Sequence, residues 1–95
     1  MKKDTNISRK SVVSLKYKKG NDSAPKITAK GKGWVAEKII KMAHENNIPI
    51  REDKDLLNLL SEIDVGREVP ESLYKVIAEL LAWVYQLNQK FQQPQ

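Results

Sequence analysis

The chain has 95 residues, 40% of them apolar, no cysteine and a formal net charge of +5. This length and composition fit one small domain with a modest core, and the lack of cysteine excludes disulfides and thiolate metal sites. No apolar run approaches the roughly 20 residues of a membrane span, and none follows the basic start as a signal peptide would require. We therefore expect a single soluble domain.

The positive charge is concentrated in the first third of the chain. Residues 1–33 carry ten Lys or Arg against two Asp, a net of +8, whereas residues 34–95 carry seven against ten Asp or Glu, a net of −3. Such asymmetry is compatible with a surface for nucleic acid or acidic lipid. A solvated basic arm is the simpler interpretation, because charge by itself indicates only solubility and non-specific attraction.

The first third predicts a basic arm followed by two short strands. Residues 1–11 are polar and charged without a period, which is typical of a flexible arm. Residues 12–17 alternate apolar and polar side chains, which predicts a strand with one buried face. Residues 26–30 predict a second strand, which Gly31 and Gly33 would end. The buried face of the first strand would carry Val13, Leu15 and Tyr17.

The middle of the chain predicts a helix and a third strand. Residues 34–46 carry apolar side chains at spacings of three and four, as one face of a helix would. Asn46 and Asn47 would end this helix, because Asn tolerates the left-handed conformation. Residues 48–51 would form a short edge strand, since Pro49 cannot donate to a ladder. The apolar stripe of the helix comprises Val35, Ile39, Met42 and Ala43.

Two further helices are predicted in the last third. Asp53 or its neighbour would cap a helix that runs to Ile63, and residues 64–66 would form a turn. Pro70 would open the last helix, because proline in a first turn loses no hydrogen bond, and residues 88–95 would follow as a polar tail. The inner face of the first of these helices comprises Leu56, Leu59, Leu60 and Ile63, and that of the second Leu73, Val76, Ile77, Leu80, Leu81, Val84 and Leu87.

These elements together predict an α/β fold, with a small mixed sheet of about three to four strands flanked by about three to four helices. The strand–helix–strand unit of residues 26–51 would be a right-handed crossover between parallel strands. The folded domain would span residues 12–87, between the arm and the tail.

Four stretches within that span form a recognisable set of motifs. They are Ser14-Leu15-Lys16-Tyr17, the run SAPKITAKGKG at 23–33, the run AHENNIPI at 43–50 and the last helix from Val69-Pro70 to Leu87. In this order and spacing they resemble the cytoplasmic C-terminal domain of the FlhB family, flagellar export-switch proteins related to the YscU-type proteins of virulence secretion systems. The resemblance implies that family's fold and a role in protein export. Members also carry an N-terminal membrane domain, so the chain resembles a stand-alone copy of the switch domain.

The slot in which family members cut themselves differs in this chain. Members carry Asn-Pro-Thr-His there, and the Asn side-chain amide attacks its own backbone carbonyl to form a succinimide. Alignment on the first strand places Ile7, Ser8, Arg9 and Lys10 in those four positions. Because no other residue type simply replaces this Asn, we expect no self-cleavage and no enzymatic activity, in a chain that resembles the already cut state. The alternative is a slip of Asn6, which lies one residue early, into the slot.

The resemblance also implies a shallow apolar patch that recognises export substrates. By the match of motifs this patch falls on Ala24, Pro25, Ala78 and Leu81, although Ala78 and Leu81 could equally be plain core of the last helix. The implied partners are flagellar or type III export substrates and export-gate membrane proteins. They would be bound by a cytoplasmic monomer, peripheral at the inner-membrane export apparatus, without cofactor or small-molecule substrate. The alternative, from charge alone, is a small basic nucleic-acid-binding protein.

Other candidate sites are weak in this sequence. His44 is the only histidine and lies near a helix end, where a surface cation is typical. Glu52, Asp53 and Asp55 precede a helix, which favours capping over a calcium loop, because the closing Glu and the Gly of such a loop are missing. The Gly31-Lys32-Gly33 run lacks the remainder of any nucleotide-binding motif. We therefore expect no metal site and no catalytic grouping.

Overall fold

Two strands and three helices build the structure. The computed structural model describes residues 10–92, with side chains described through residue 88, so residues 1–9 of the predicted arm lie outside it. In chain order the elements are β1 (Ser11–Lys16), β2 (Lys26–Lys32), α1 (Trp34–Glu45), α2 (Lys54–Ser61), a 3-10 turn (Glu71–Leu73) and α3 (Tyr74–Gln92).

The sheet is an antiparallel pair of β1 and β2 with one bulge. Val13 pairs with Lys30 and Leu15 with Ile27, so Thr28 is an extra residue on β2 between these two pairs. In a regular strand Ile27 and Lys30 would point to opposite faces, but one extra residue reverses the alternation. The bulge therefore places Ile27 and Lys30 on the same face of the sheet. Their cross-strand partners on β1, Leu15 and Val13, lie on this face too.

The two faces of the sheet are covered by different helices. A Cβ built on Gly31 would lie 2.7 Å from Val35 Cγ1 and 2.9 Å from Ile39 Cδ1, so α1 packs directly against β2 on one face. On the other face, Lys30 Nζ donates a 2.9 Å hydrogen bond to the carbonyl of Ser61 at the end of α2. A cation at this place also offsets the partial negative charge of the helix C-terminus.

The core lies between the sheet and the helices α2 and α3. Ile27 and Val69 are its most deeply buried large side chains, at 0% and 1% exposure. The other buried members of this cluster are Leu56, Leu60 and Ile77, and the half-buried side chains that pack against it are Val13, Leu15, Ile63, Leu73, Val76, Leu80 and Leu81. Most of the apolar side chains predicted to face inward from β1, α2 and α3 thus meet in one cluster, but Leu59 of α2 is 46% exposed and was wrongly assigned to the inner face.

The α/β class is confirmed, but the predicted third strand is wrong. Ile48 donates its N–H to Ala43 O at 2.8 Å, as part of the end of α1, and Pro49 has no N–H to give. The free edge of β2 is taken instead by residues 66–69, where Ile27 N–H donates to Arg67 O at 3.0 Å. Within residues 10–92 the sheet therefore has two antiparallel strands, and the parallel crossover is absent.

The predicted apolar stripe of α1 is only partly correct. Val35 and Met42 are 53% and 61% exposed, whereas Ala36 is fully buried. Where α1 approaches β2 at Gly31, the Ala36 side chain is buried, Ile39 is half-buried and Val35 is only partly covered. The glycine run also fails to end β2, which continues through Gly31 to Lys32.

Three local predictions agree with the structure. Asp53 caps α2, with its Oδ1 accepting a 3.0 Å hydrogen bond from Leu56 N–H. Asn47 takes the left-handed conformation after α1, with φ of 57°. Residues 65–66 form the turn before the last helix. That helix continues to Gln92, so five residues of the predicted polar tail are helical.

Candidate functional site

The first half of the candidate patch, Ala24 and Pro25, lies at the entry to β2. Both residues are buried, Ala24 with 2% exposure. Pro25 O accepts a 2.8 Å hydrogen bond from the N–H of Val69, which itself belongs to the core cluster. The backbone at this end of the patch is therefore fixed to the segment that leads into α3.

The second half of the candidate patch lies on α3. Ala78 is exposed, whereas Leu81 is half-buried and packs against the core cluster. Residues three apart on a helix lie on one side of it, so the two side chains form a continuous surface from solvent to core. Leu81 thus contributes to the core, and Ala78 is a surface residue.

The loop between the strands lies along this same side of α3. Lys19 Nζ is 6.0 Å from the centroid of the Tyr85 ring. Tyr85 follows Leu81 by four residues and Ala78 by seven, which are the spacings of one helix side. The structure therefore brings the loop that leads to Ala24 and Pro25 next to the α3 side that carries the other two patch residues.

Two tyrosines extend the exposed side of α3, and sequence reasoning assigned neither to the patch, since it interpreted Tyr85 as a helix-flank residue. Tyr74 and Tyr85 are 41% and 49% exposed. With Ala78 and Leu81 they form what we call the α3 stripe, at positions 74, 78, 81 and 85. The helical spacing of these four residues was readable in the sequence, but the heavier apolar stripe toward the core concealed it.

The turn between the strands is closed by its own hydrogen bonds. Asp22 Oδ2 accepts a 2.7 Å hydrogen bond from Lys18 N–H, and Lys18 O accepts from the N–H groups of Asn21 and Asp22 at 3.1 and 2.9 Å. The Asp22 carboxylate is thereby engaged within the turn. This fixed turn sets where Lys19 and the following patch residues stand against α3.

The predicted cleavage slot lies mostly outside the described residues. Ile7, Ser8 and Arg9 precede them, and Lys10 is their first residue. Lys10 O accepts a 2.8 Å hydrogen bond from Gly33 N–H, and Lys10 Nζ lies 2.6 Å from Glu37 Oε2. The last position of the slot is thus held at the start of α1.

The structure also places the remaining candidate residues from the sequence. His44 is exposed near the end of α1, and Asp53 is engaged as the cap of α2. No group of three His, Asp or Glu suited to a metal ion occurs among residues 10–88. Within the described helices, none is both long and apolar enough to span a bilayer.

Curated relatives are similar to this chain over most of its length. The uncharacterized protein YlqH of Bacillus subtilis (strain 168) is 39% identical over 89 residues, which cover 94% of each chain. The flagellar biosynthetic protein FlhB of Escherichia coli (strain K12) is 43% identical over 77 residues, or 80% of this chain. The chain spans about a fifth of the length of the FlhB proteins that it matches, 20% in this case.

Solved structures show the same fold. The cytoplasmic domain of FlhB from Shewanella putrefaciens superposes with a TM-score of 0.80 at 32% identity, covering 86% of this chain and 68% of that one. The PscU C-terminal domain superposes with a TM-score of 0.72 at 27% identity, covering 78% of this chain and 95% of that one.

The match to a family model covers both strands, α1, α2, the first part of α3 and the candidate patch. The model describes the FlhB HrpN YscU SpaS family and matches residues 9–84. That span contains all four patch residues. The chain belongs to the FlhB/HrpN/YscU/SpaS family, within which it corresponds to the C-terminal domain.

Proposed function

We propose that the chain is a non-catalytic component of flagellar or type III protein export. It binds export substrates or export-gate proteins through the candidate patch, in the manner of an FlhB cytoplasmic domain. The main support for this proposal is that Ala78 is exposed on a domain of this family. The neighbouring patch residues are held in place by the core.

The patch has the properties of a surface for brief encounters. Ala24 and Pro25 are buried, so a partner would contact mainly Ala78, the accessible part of Leu81 and the flanking tyrosines. A contact area of this kind is small, and small interfaces are typical of transient complexes. Weak binding suits a component that must release each export substrate after recognising it.

The absence of catalysis is part of the same proposal. Ile7 stands where a succinimide-forming Asn would be needed, and its side chain has no amide to attack the backbone carbonyl. A chain of this kind would influence export through binding alone. Its regulation would then depend on partner concentration and affinity, since no peptide bond is broken.

Binding of export proteins tests the proposal directly. The full chain would be immobilised and titrated with purified flagellar rod and hook proteins of the same bacterium. Ala78→Asp is expected to weaken binding roughly tenfold or more, because it places a charge at the centre of a small apolar contact. Asn58→Asp is the matched control, since it adds the same charge at an exposed position of α2.

Two results would contradict the proposal. The first is that no export protein or export-gate protein binds the wild-type chain. The second is that Ala78→Asp binds as well as wild type while circular dichroism shows the fold intact. Titration with duplex DNA at about 50 and 200 mM salt addresses the nucleic-acid alternative, which predicts a steep loss of affinity with salt.

A further inference from the structure

Two lysines face each other across the sheet beside the candidate patch. Lys16 ends β1 and Lys26 begins β2, and the register makes them direct cross-strand partners. Both side chains are exposed. Like charges directly opposite each other in an antiparallel pair are destabilising, so this pair works against the stability of the hairpin.

The described carboxylates form no close ion pair with these two lysines. Glu68 stands opposite Lys26 on its other side, but Glu68 Oε2 accepts a hydrogen bond from Ser23 Oγ at 3.1 Å. Asp22 is engaged by the backbone of the turn. Among residues 10–88, the ion pair within 4.0 Å joins Lys10 to Glu37, and none includes Lys16 or Lys26.

These charges border the apolar surface of the patch. Lys26 follows Pro25 in the chain, and Lys19 is held above the ring of Tyr85 on the α3 stripe. Residues 16–26 carry four lysines against one aspartate. The patch is thus edged on its hairpin side by a cluster that we call the lysine rim, which comprises Lys16, Lys18, Lys19 and Lys26.

We infer that the lysine rim recognises carboxylates on the partner, so that the patch selects an apolar segment flanked by acidic residues. This inference rests on the proposed function and specifies the partner chemistry for the same site. Complementary charge at the edge of an interface mainly raises the association rate and excludes partners of the wrong sign. A partner carboxylate placed between Lys16 and Lys26 also offsets the repulsion between these two lysines, which the free protein retains.

An acidic protein segment fits this surface better than an anionic membrane does. Interfacial membrane binding requires large apolar side chains that protrude into the acyl region. The patch offers the exposed methyl group of Ala78 and a half-buried Leu81, while Ala24 and Pro25 are buried, and the flanking Tyr74 and Tyr85 are 41% and 49% exposed. A peptide chain can bring its own apolar side chains to such a shallow surface and place its carboxylates over the lysines.

Two synthetic peptides provide the direct test, independent of any export protein. Both would have 12 residues with leucine at the same positions, and the remaining positions would be Glu in one and Lys in the other. Titration into the isotopically labelled full chain, followed by NMR, is expected to shift the amide signals of residues 16–26 and of α3 with the acidic peptide. The basic peptide is expected to bind at least several-fold more weakly.

Charge reversal identifies the lysines responsible. The double variant Lys16→Glu/Lys26→Glu is expected to weaken binding of the acidic peptide roughly 3–10-fold and to reduce its dependence on salt. Lys38→Glu/Lys41→Glu is the matched control, because it makes the same change of net charge on the exposed face of α1, across the sheet from α3. This control is expected to change the affinity by less than about twofold.

Three outcomes would overturn the inference. The first is equal binding of the two peptides, and the second is an equal loss of peptide affinity in the two double variants. The third is that the lysine-rim variant loses affinity only for vesicles containing phosphatidylglycerol and not for the acidic peptide. The inference and the proposed function can fail separately. Export proteins that bind wild type and the lysine-rim variant equally would refute only the lysine rim, whereas acidic-peptide binding without export-protein binding would refute only the export role.

Discussion

The contact between α1 and β2 at Gly31 can be tested by adding one methyl group. In Gly31→Ala the new Cβ would lie 2.7 Å from Val35 Cγ1, 2.9 Å from Ile39 Cδ1 and 3.0 Å from Ala36 N. One of these atoms is backbone, so a rotamer change cannot relieve all three contacts. Overpacking of this kind costs about 1–3 kcal/mol, against a gain of about 0.4–1 kcal/mol from restricting the unfolded chain.

We therefore expect Gly31→Ala to lower the free energy of unfolding by about 2 kcal/mol, near the upper end of that difference. For a domain of this size each kcal/mol corresponds to roughly 4–8 °C in Tm. Thermal melting followed by circular dichroism, together with urea denaturation, would measure the loss. A fall in Tm of roughly 8–16 °C is expected.

A second substitution shows whether the crowding is at the stated atoms. Val35 is 53% exposed, so Val35→Ala alone should have little effect on stability. In the Gly31→Ala background it removes the nearest clashing atom and should recover more than about 0.5 kcal/mol. Gly20→Ala is the control, because no atom lies within 4 Å of its added Cβ and Val35→Ala should not relieve its backbone strain. A Gly31→Ala protein that melts at or above the wild-type temperature would refute the packing of α1 on β2.

Four further predictions concern the core, the helix ends and the cleavage slot. Ile27→Ala should cost about 2–5 kcal/mol in urea denaturation and Ile27→Val about 0.5–1.5 kcal/mol, because the side chain has 0% exposure; equal losses would mean that the site is not tightly packed. Asp53→Ala should cost about 1 kcal/mol through loss of the α2 cap, whereas Asp53→Asn should retain most of the stability. Lys30→Met should cost about 0.3–1 kcal/mol at low salt and less in about 1 M NaCl, since it removes the cation at the end of α2. Intact mass should stay constant during long incubation at mildly alkaline pH, and a fragment that starts at Ile7, after Asn6, or at Ser8 would disprove the absence of self-cleavage.

Local features of the fold were predictable because they depend on a few neighbouring residues. The Asp53 cap needs only one carboxylate and the next turn of backbone. Asn47 follows α1 in the left-handed conformation that its short polar side chain tolerates. The long stripe of α3 could be read for the same reason, since a helix repeats its contacts every three or four residues.

The strand predicted at 48–51 shows where this reasoning fails. Its β-branched residues on either side of Pro49 suit a strand, but a strand exists only if a partner supplies hydrogen bonds. The edge of β2 is taken by residues 66–69 instead. Competition between two segments for one edge is decided by the packing of the whole chain, which no local pattern contains.

The candidate site was likewise predictable only in part. The motifs of the family identified Ala24, Pro25, Ala78 and Leu81, but they could not separate core from surface. Ala78 is exposed, and Leu81 packs partly against the core cluster. The two flanking tyrosines and the lysine rim became visible only with the placement of the hairpin turn against α3.

The sequence by itself determined the family, the α/β class, the Asp53 cap of α2, the left-handed Asn47 after α1 and the missing Asn of the cleavage slot, because each of these depends on residue identity and short-range periodicity. The tertiary structure decided that the sheet has two strands, that α1 rests on Gly31 and that Lys16 stands opposite Lys26. The number of strands depends on which distant segment takes the edge of β2, whereas the other two features depend on the register of the hairpin and on how α1 docks against it. One bulge at Thr28 is enough to change the faces of several side chains, because it shifts the register of the pairing by one residue.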